Sequence, residues 1–372
     1  MKVIVIGGGA LGTMHAWHAL QRGHHVLHLE KDVAARSASV RNFGLVWVSG
    51  RAGGQELAAA QRARDLWASI GEQVPGVGFR ANESLSITLT DLEDAVARAM
   101  TEQPDAAERG FEYLDADAVR RRNPAVQGDI RGGLLCTRDA AVEPRATQNA
   151  LRQAMTSCGR YEFVGGTEVV DLGDGTATTA DGTIHAGDLV CYLPGALLGG
   201  LVRRYAGEIP VRRVQLQMFQ TEPYHRTLTT TIADADSFRY YPAFGGPALD
   251  ALNAQQPQDP VAAHNHMQLL LVQRLDGSLT IGDTHAYDEP FAFDVDERPT
   301  AYLRERAAAI LGGELPPVRA RWSGIYAQCH DSTQIVHRQD LFERTHLVTG
   351  PGGRGMTLSP AIGEHTADTF NL

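Results

Sequence analysis

The sequence predicts an α/β protein assembled from interleaved segments, and three stretches carry that prediction. "VIVIGGGALG" sets a glycine-rich turn between a β-branched run and a helix, the order of a βαβ unit. "HMQLLLVQRLDGSLTIGDTHAYDE" reads as two long strands joined at Asp276-Gly277, so the middle of the chain is expected to be mostly antiparallel. "LVTGPGGRGMTLSPAIGE" repeats the order strand, glycine loop, helix near the end. At 372 residues the chain exceeds what one hydrophobic core usually organises, and two domains are expected.

The elements follow in order. "KVIVI" is the first strand, "GALGTMHAWHALQRG" a helix closed by Gly23, and "HVLHLE" the second strand. The helix "GQELAAAQRARDLWASIGEQ", the strand "SLSITLT" and the helix "DLEDAVARAM" come next. "GGLLCTRDAAVEPRATQNALRQAM" reads as strand, turn and helix, with Glu143-Pro144 at the helix start. "YEFVGGTEVVDL" and "GTATTADGTIHAGDLVCYLPGA" are β-rich, "VQLQMFQTE" is a long strand and "AYLRERAAAILG" a helix. "THLVTG", the loop "PGGRG" and the helix "MTLSPAIGEHTADTF" close the chain.

The first turn carries chemistry. Gly7 permits a tight turn, Gly9 lets backbone approach a pyrophosphate, and Gly12 lets helix and strand pack closely. Ala10 and Leu11 open the helix, whose free N–H groups attract phosphate. Glu30 ends the second strand, beside Lys31, where a carboxylate accepts hydrogen bonds from a ribose. An acid there repels a 2′-phosphate and argues against NADP.

Composition narrows the rest. The net charge of −10 argues against nucleic-acid and membrane surfaces, which call for a basic field. Lys2 and Lys31 are the only lysines, so a lysine Schiff base has almost no candidate. Cys136, Cys158, Cys191 and Cys329 form no CxxC pair and suit a reducing compartment. The strand pattern begins at Lys2 and leaves no room for a signal peptide, so a cytoplasmic enzyme is expected. His15, His18, His24, His25 and His28 cluster near the start, but no carboxylate or cysteine joins them at ligand spacing, and no metal is expected.

Four passages in this order, "GGGALG…LEKD", "SASVRNFG", "GGLLCTRDAAVEPRATQNAL" and "LVTGPGGRGMTLSPAIGE", resemble the FAD-dependent amine and D-amino-acid oxidases, with glycine oxidase and sarcosine oxidase as relatives. The resemblance covers essentially the whole chain. "SVRNFG", "LLVQRLDGSLTIGDTHAYDE" and "WSGIYAQCHD" are similar to a subgroup associated with phosphonate catabolism, whose proposed substrates are 2-aminoethylphosphonate and N-methylated relatives. The fold implied is a Rossmann-like FAD-binding domain of the glutathione-reductase type (residues 1–78, 141–205 and 323–372). An interleaved, mostly antiparallel substrate domain (79–140 and 206–322) completes it. The chemistry implied is hydride transfer from the carbon bearing nitrogen to the flavin, followed by imine hydrolysis to an aldehyde plus amine or ammonia.

The resemblance also implies roles. Ser37, Arg41, Asn42, Phe43 and Gly44 should contact the flavin from one segment, and Gly350, Gly352, Gly353, Arg354, Gly355, Met356 and Thr357 from the last loop and helix. Backbone N–H groups there would stabilise charge on the flavin's N(1)–C(2)=O edge. Val169 is expected on the adenine side and Gly195 against the pyrophosphate. Arg274 aligns with the arginine that binds substrate carboxylate in glycine-oxidase-like enzymes, against a rival reading as a solvent-facing strand-end arginine. Tyr240 or Tyr241 is expected in the site, although tyrosine pairs are ordinary strand residues. His285 and His330 are candidates for an anion contact or proton acceptor, and Arg354 is a candidate cation near oxygen. Trp47 could wall the pocket or belong to the core.

Two departures stand out. Tyr326 occupies the place of a second arginine in glycine-oxidising relatives, which lowers the case for glycine. Gly324 stands where sarcosine-oxidase relatives attach flavin to cysteine, so the FAD is expected to be non-covalent. Oxygen or another electron acceptor, and a monomer or a homo-oligomer, stay open. Glycine, sarcosine or D-amino-acid oxidation, and a flavin-binding subunit without turnover, are the alternatives.

Overall fold

The computed structural model describes residues 1–371. Lys2–Ile6 is a buried β-branched strand that pairs in parallel with His25–Glu30 on one side and Leu189–Tyr192 on the other. The helix Ala10–Gln21 crosses between the first two strands. Gly7 bends the chain with φ 114°, and a Cβ there would lie 2.2 Å from the Leu193 carbonyl oxygen. At Gly12 a Cβ would lie 1.8 Å from the Gly7 carbonyl oxygen, so only glycine lets the helix sit this close to the strand. The full sheet has six strands, in the order 337–342, 345–349, 189–192, 2–6, 25–30 and 161–165, with the first pair antiparallel and the rest parallel. Val169–Gly173, Thr176–Thr179 and Ile184–Ala186 form a small antiparallel meander. The final helix, Gly355–Thr369, packs on the first one, where Gly363 brings it within 3.0 Å (at a Cβ position) of Met14 backbone.

A second, eight-stranded sheet has the order 318–329, 211–223, 278–282, 270–273, 231–234, 84–88, 132–136 and 111–115. Thr231–Asp234 and Ser84–Thr88 run parallel, and every other pair is antiparallel. One face buries Leu85, Ile87, Phe219, Ile232, Leu271 and Ile281 against Leu303, Ala307 and Ile310 of the helix Glu297–Leu311. Each such fully buried branched side chain is worth about 1.5–3 kcal/mol. The opposite face presents Val214, Leu216, Met218, Leu270 and Val272 to Phe43, Leu45 and Trp47. The period-two alternation along the strands thus fixes which side chains look toward the first sheet.

Three local expectations change. Val318–Cys329 is a twelve-residue strand paired along its length with Val211–Pro223. The eight-stranded sheet therefore runs on to Cys329, past the boundary expected at residue 323. Tyr240 ends a short helix, Asp236–Tyr240, and Tyr241 caps it, so neither tyrosine is a strand residue. The hairpin turns at Asp276-Gly277 with Gly277 at φ 83°, but its strands are short, Leu270–Gln273 and Ser278–Gly282. Among the described residues no helix is long and apolar enough to cross a membrane.

Candidate active site

A single cavity of about 1660 Å³ runs between the two sheets, from Glu30 at one end to Tyr240 and His285 at the other. At the first end it is lined by Gly7, Gly9, Ala10, Leu11, Gly12, Glu30, Lys31, Val169 and Gly195. The Glu30 carboxylate is held there by two backbone donors, Gly8 N at 2.5 Å and Asp32 N at 2.9 Å. Ser39 Oγ accepts from Ala10 N at 2.8 Å and pins the neighbouring segment to the helix start. Gly195 has φ 61°, and a Cβ there would meet nothing within 4 Å, so the cavity is open at that point. Beneath the turn, His28 Nε2 donates to the Gly7 carbonyl at 3.0 Å and Nδ1 accepts from the Tyr161 hydroxyl at 2.9 Å. Burial lowers His28 to about 3, keeping it neutral. His15 and His18 are likewise buried and lowered, to about 3 and about 4. Among the described residues no three His, Cys, Asp or Glu groups gather as metal ligands.

The middle of the cavity is walled by two loops. Ser37, Arg41, Asn42 and Phe43 line it from one side. Asn42 closes this loop, its Oδ1 accepting from Gly44 N at 2.7 Å and its Nδ2 donating to Ala38 O at 2.8 Å. Gly44 lies behind the lining at φ 69°, where a Cβ would meet the Val142 carbonyl oxygen at 2.2 Å. Gly352, Gly353, Arg354, Gly355, Met356 and Thr357 line the other side. Gly350 does not reach the cavity, being packed on Cys329. Thr357 Oγ1 accepts from Trp47 N at 3.0 Å and donates to Leu45 O at 3.1 Å, tying the two loops together.

Three buried charges sit beside this wall. Arg51 stands 3.6 Å from Glu56 Oε1, and Arg354 stands 3.1 Å from Glu56 Oε2. Arg354 spends its other donors on the carbonyls of Pro351, Ser332 and Gln334, at 3.2, 3.1 and 2.7 Å, so it fixes the glycine loop's shape. Burial lowers Arg51, with Glu56 opposing.

At the far end Tyr240, Tyr241, Asp283, His285, Tyr287 and Tyr326 line the cavity. His285 stacks on Tyr240 with ring centroids 4.5 Å apart and donates from Nδ1 to the His266 carbonyl at 2.9 Å. A Cβ at Gly353 would lie 3.7 Å from the Tyr326 hydroxyl, which places this phenol against the glycine loop. Burial pushes Tyr240, Tyr241 and Tyr326 above the usual phenol value, so all three stay protonated donors at neutral pH.

Two further expected residues, on the substrate side, also lie elsewhere. Arg274 does not line the cavity. Its buried guanidinium donates to the Phe43 carbonyl and, at 3.3 Å, to the Val142 carbonyl, with Glu143 3.8 Å away. It clamps the Asn42–Gly44 loop to the following layer and is buried, not solvent-facing. His330 is exposed just past the strand end and also lies outside the lining. Conversely Arg51, Glu56, Tyr287 and Asp283 line the cavity although no motif marks them. Arg51 is hidden among 32 arginines, and Asp283 carries no signal beyond standing two residues before His285.

The residues present fit a flavin dinucleotide. The glycine cradle, the oriented Glu30 and the paired loops are one continuous surface.

Comparison with known proteins agrees. Residues 2–369 match the family model for the FAD dependent oxidoreductases (DAO), and the chain belongs to that family. It is an FAD-dependent oxidoreductase. It is 23% identical over 380 residues to a glycine oxidase of Bacillus licheniformis, a match spanning 98% of this chain and 91% of that protein. It is 27% identical over 176 residues to one subunit of an opine oxidase of Rhizobium meliloti, across 43% of this chain and 46% of that one. The crystal structure of glycine oxidase from Geobacillus kaustophilus superposes with a TM-score of 0.77 at 19% identity, covering 99% of this chain and 94% of the other. At that identity the likeness shows the shared fold.

Proposed function

We propose that this protein oxidises the C–N bond of a small amine bearing an anionic group, with 2-aminoethylphosphonate or its N-methyl derivative as the substrate. The observation that carries this reading is the charge on the cavity wall. Arg51 and Arg354 share one carboxylate, Glu56, and all three are buried against the cavity. Arg51 and Arg354 have Glu56 as their shared ion-pair partner, with the buried Asp139 carboxylate acting on Arg51 from further off, so this stretch of wall presents two guanidiniums against which an anion can sit. The hydroxyls of Tyr240, Tyr241 and Tyr326 add donors suited to a group with several oxygens. With Arg274 turned away, Arg51 becomes the anchor this reading requires.

FAD, when bound, supplies a two-electron acceptor for the hydride on the carbon that bears nitrogen. The chain's part is to hold the anion at Arg51, to keep water from the reacting carbon with Leu216, Met218 and Leu270, and to present neutral phenols. The imine that leaves is hydrolysed to an aldehyde plus ammonia or an amine.

A second reading, oxidation of glycine, sarcosine or a D-amino acid, is favoured by the nearly full-length similarity to a glycine oxidase. The similarity to part of an opine oxidase favours a third, a flavin-binding subunit without turnover of its own. Anaerobic titration of the purified protein with 2-aminoethylphosphonate, its N-methyl derivative, glycine and sarcosine separates them. The expected result is bleaching of the flavin by the phosphonates at the lowest concentrations. Bleaching by glycine or sarcosine in preference supports the second reading, and no bleaching supports the third.

A further inference from the structure

We propose that Asp283 is the residue that recognises the substrate's nitrogen, holding it as an ammonium group between its own carboxylate and His285. This rests on the amine-oxidising reading above and adds the half of substrate recognition which that reading leaves open.

Asp283 follows directly on the strand Ser278–Gly282, where the chain leaves the sheet and enters the cavity. It is 6% exposed. Gln268 Nε2 donates to its Oδ1 at 3.0 Å. Among the described residues no arginine or lysine lies within ion-pair distance of it, and its one charged-capable neighbour is His285, with Nε2 3.5 Å from Oδ2. A buried carboxylate without a cation is costly, and such a group is normally paired.

His285 does not complete the pair. Its Nδ1 already donates to the His266 carbonyl at 2.9 Å, so in the neutral ring Nε2 is an acceptor. The 3.5 Å gap is also wider than the roughly 2.8 Å of a closed charge-assisted hydrogen bond. Two acceptors, Oδ2 and Nε2, therefore face one position with no donor between them. An ammonium group carries at least two N–H bonds and one positive charge, satisfies both at once, and passes one proton to His285 Nε2 so that the nitrogen lone pair is free when the hydride leaves the carbon.

The surroundings suit the same occupant. The remaining groups facing Asp283 are the phenols of Tyr240, Tyr241, Tyr287 and Tyr326, each raised partly by its charge. They supply aromatic walls, which attract an ammonium or N-methylammonium. Burial raises Asp283 itself, the direction expected where a carboxylate is withdrawn from water. The site would thus read both ends of a zwitterion, the amine at Asp283 and the anion at Arg51.

The test separates binding from turnover. Dithionite-reduced holoenzyme cannot accept a hydride, so calorimetry under anaerobic conditions reads binding alone. The probes are 2-aminoethylphosphonate and 2-hydroxyethylphosphonate, with glycine and glycolate as a second pair. Wild type should bind the better amine about thirtyfold or more tightly than its hydroxyl partner, and Asp283→Asn should bring the two within about threefold by weakening only the amine. Asp283→Glu, which keeps the charge, should restore part of the preference.

Equal binding of amine and hydroxyl compound by wild type overturns the assignment without any variant, so a variant that fails to fold does not rescue it. Equal weakening of both ligands in Asp283→Asn also overturns it, since that marks a structural role. Bleaching of the oxidised flavin by an amine reports separately on the oxidation reading. An amine preference without bleaching would leave Asp283 standing and the oxidation reading refuted.

Discussion

Replacing Arg274 with methionine distinguishes a clamp from an anchor. The substitution removes the guanidinium while keeping much of the side chain's length. It strips the Phe43 and Val142 carbonyls of a charged donor, whereas Glu143 keeps Arg80 at 2.6 Å and is not left unpaired. Hydrogen bonds from a charged donor contribute about 1.5–3 kcal/mol each, and the 3.3 Å bond to Val142 sits at the weak end, so a loss of about 3 kcal/mol is expected. For 372 residues the unfolding entropy is about 0.8 kcal/mol/K, which turns that loss into a fall in Tm of about 4 °C. The assay is thermal unfolding of the holoenzyme by far-ultraviolet circular dichroism, together with the amine concentration that half-bleaches the flavin. The structure predicts a lower Tm, weaker flavin retention and a half-bleaching concentration within about threefold of wild type. An unchanged Tm with a half-bleaching concentration raised about thirtyfold, equal to about 2 kcal/mol of lost binding, would refute the clamp and restore Arg274 as the anchor.

Other substitutions read other parts of the account. Gly12→Ala forces a Cβ to within 1.8 Å of the Gly7 carbonyl oxygen, so the purified protein should come colourless, and stoichiometric flavin in it would contradict the cradle. Arg51→Gln should raise the half-saturating concentration of amine substrate and of amine-free anion alike by about tenfold or more, read by calorimetry on the reduced holoenzyme. His28 is held at about 3 when folded, below its unfolded value of about 6.5, so the unfolded chain binds the extra proton between these limits. That histidine adds nothing to the pH dependence above about pH 6.5, and costs up to about 1.4 kcal/mol per pH unit as pH falls below it. His28→Gln should make the urea-measured stability fall less steeply between pH 6 and pH 4.5 by up to that amount, and an unchanged slope would count against a neutral buried ring.

Much of the fold is legible in the sequence because its rules are local. The turn at Gly7, Gly9 and Gly12 is specified by contacts within the βαβ unit, and the hairpin at Asp276-Gly277 by the turn residues themselves. Val318–Cys329 is less legible. It is a sheet-edge strand carrying Arg319 and Arg321, and its partner lies about a hundred residues earlier, so no short-range pattern announces the pairing. The run "SFRYYPAF" looks like a strand by propensity, yet Phe238 is fully buried and the segment folds as a helical turn, a case of tertiary packing overriding local preference. The glycine loops and Glu30 are visible because backbone geometry demands those residues. The role of Arg274 is not, because its partners, Phe43 and Val142, are brought to it only by the folded layers. Asp283 and Arg51 escape notice because an aspartate after a strand and an arginine among many look ordinary until burial shows them unmatched or shared.

The most direct measurement is the product balance of a single anaerobic reduction. Oxidised holoenzyme is mixed with excess 2-aminoethylphosphonate or its N-methyl derivative, and aldehyde and released ammonia or methylamine are counted against flavin bleached. The account predicts one aldehyde and one released nitrogen for each flavin reduced. Flavin that stays oxidised, or bleaches without any carbonyl product, would contradict the proposed oxidation of an aminophosphonate C–N bond.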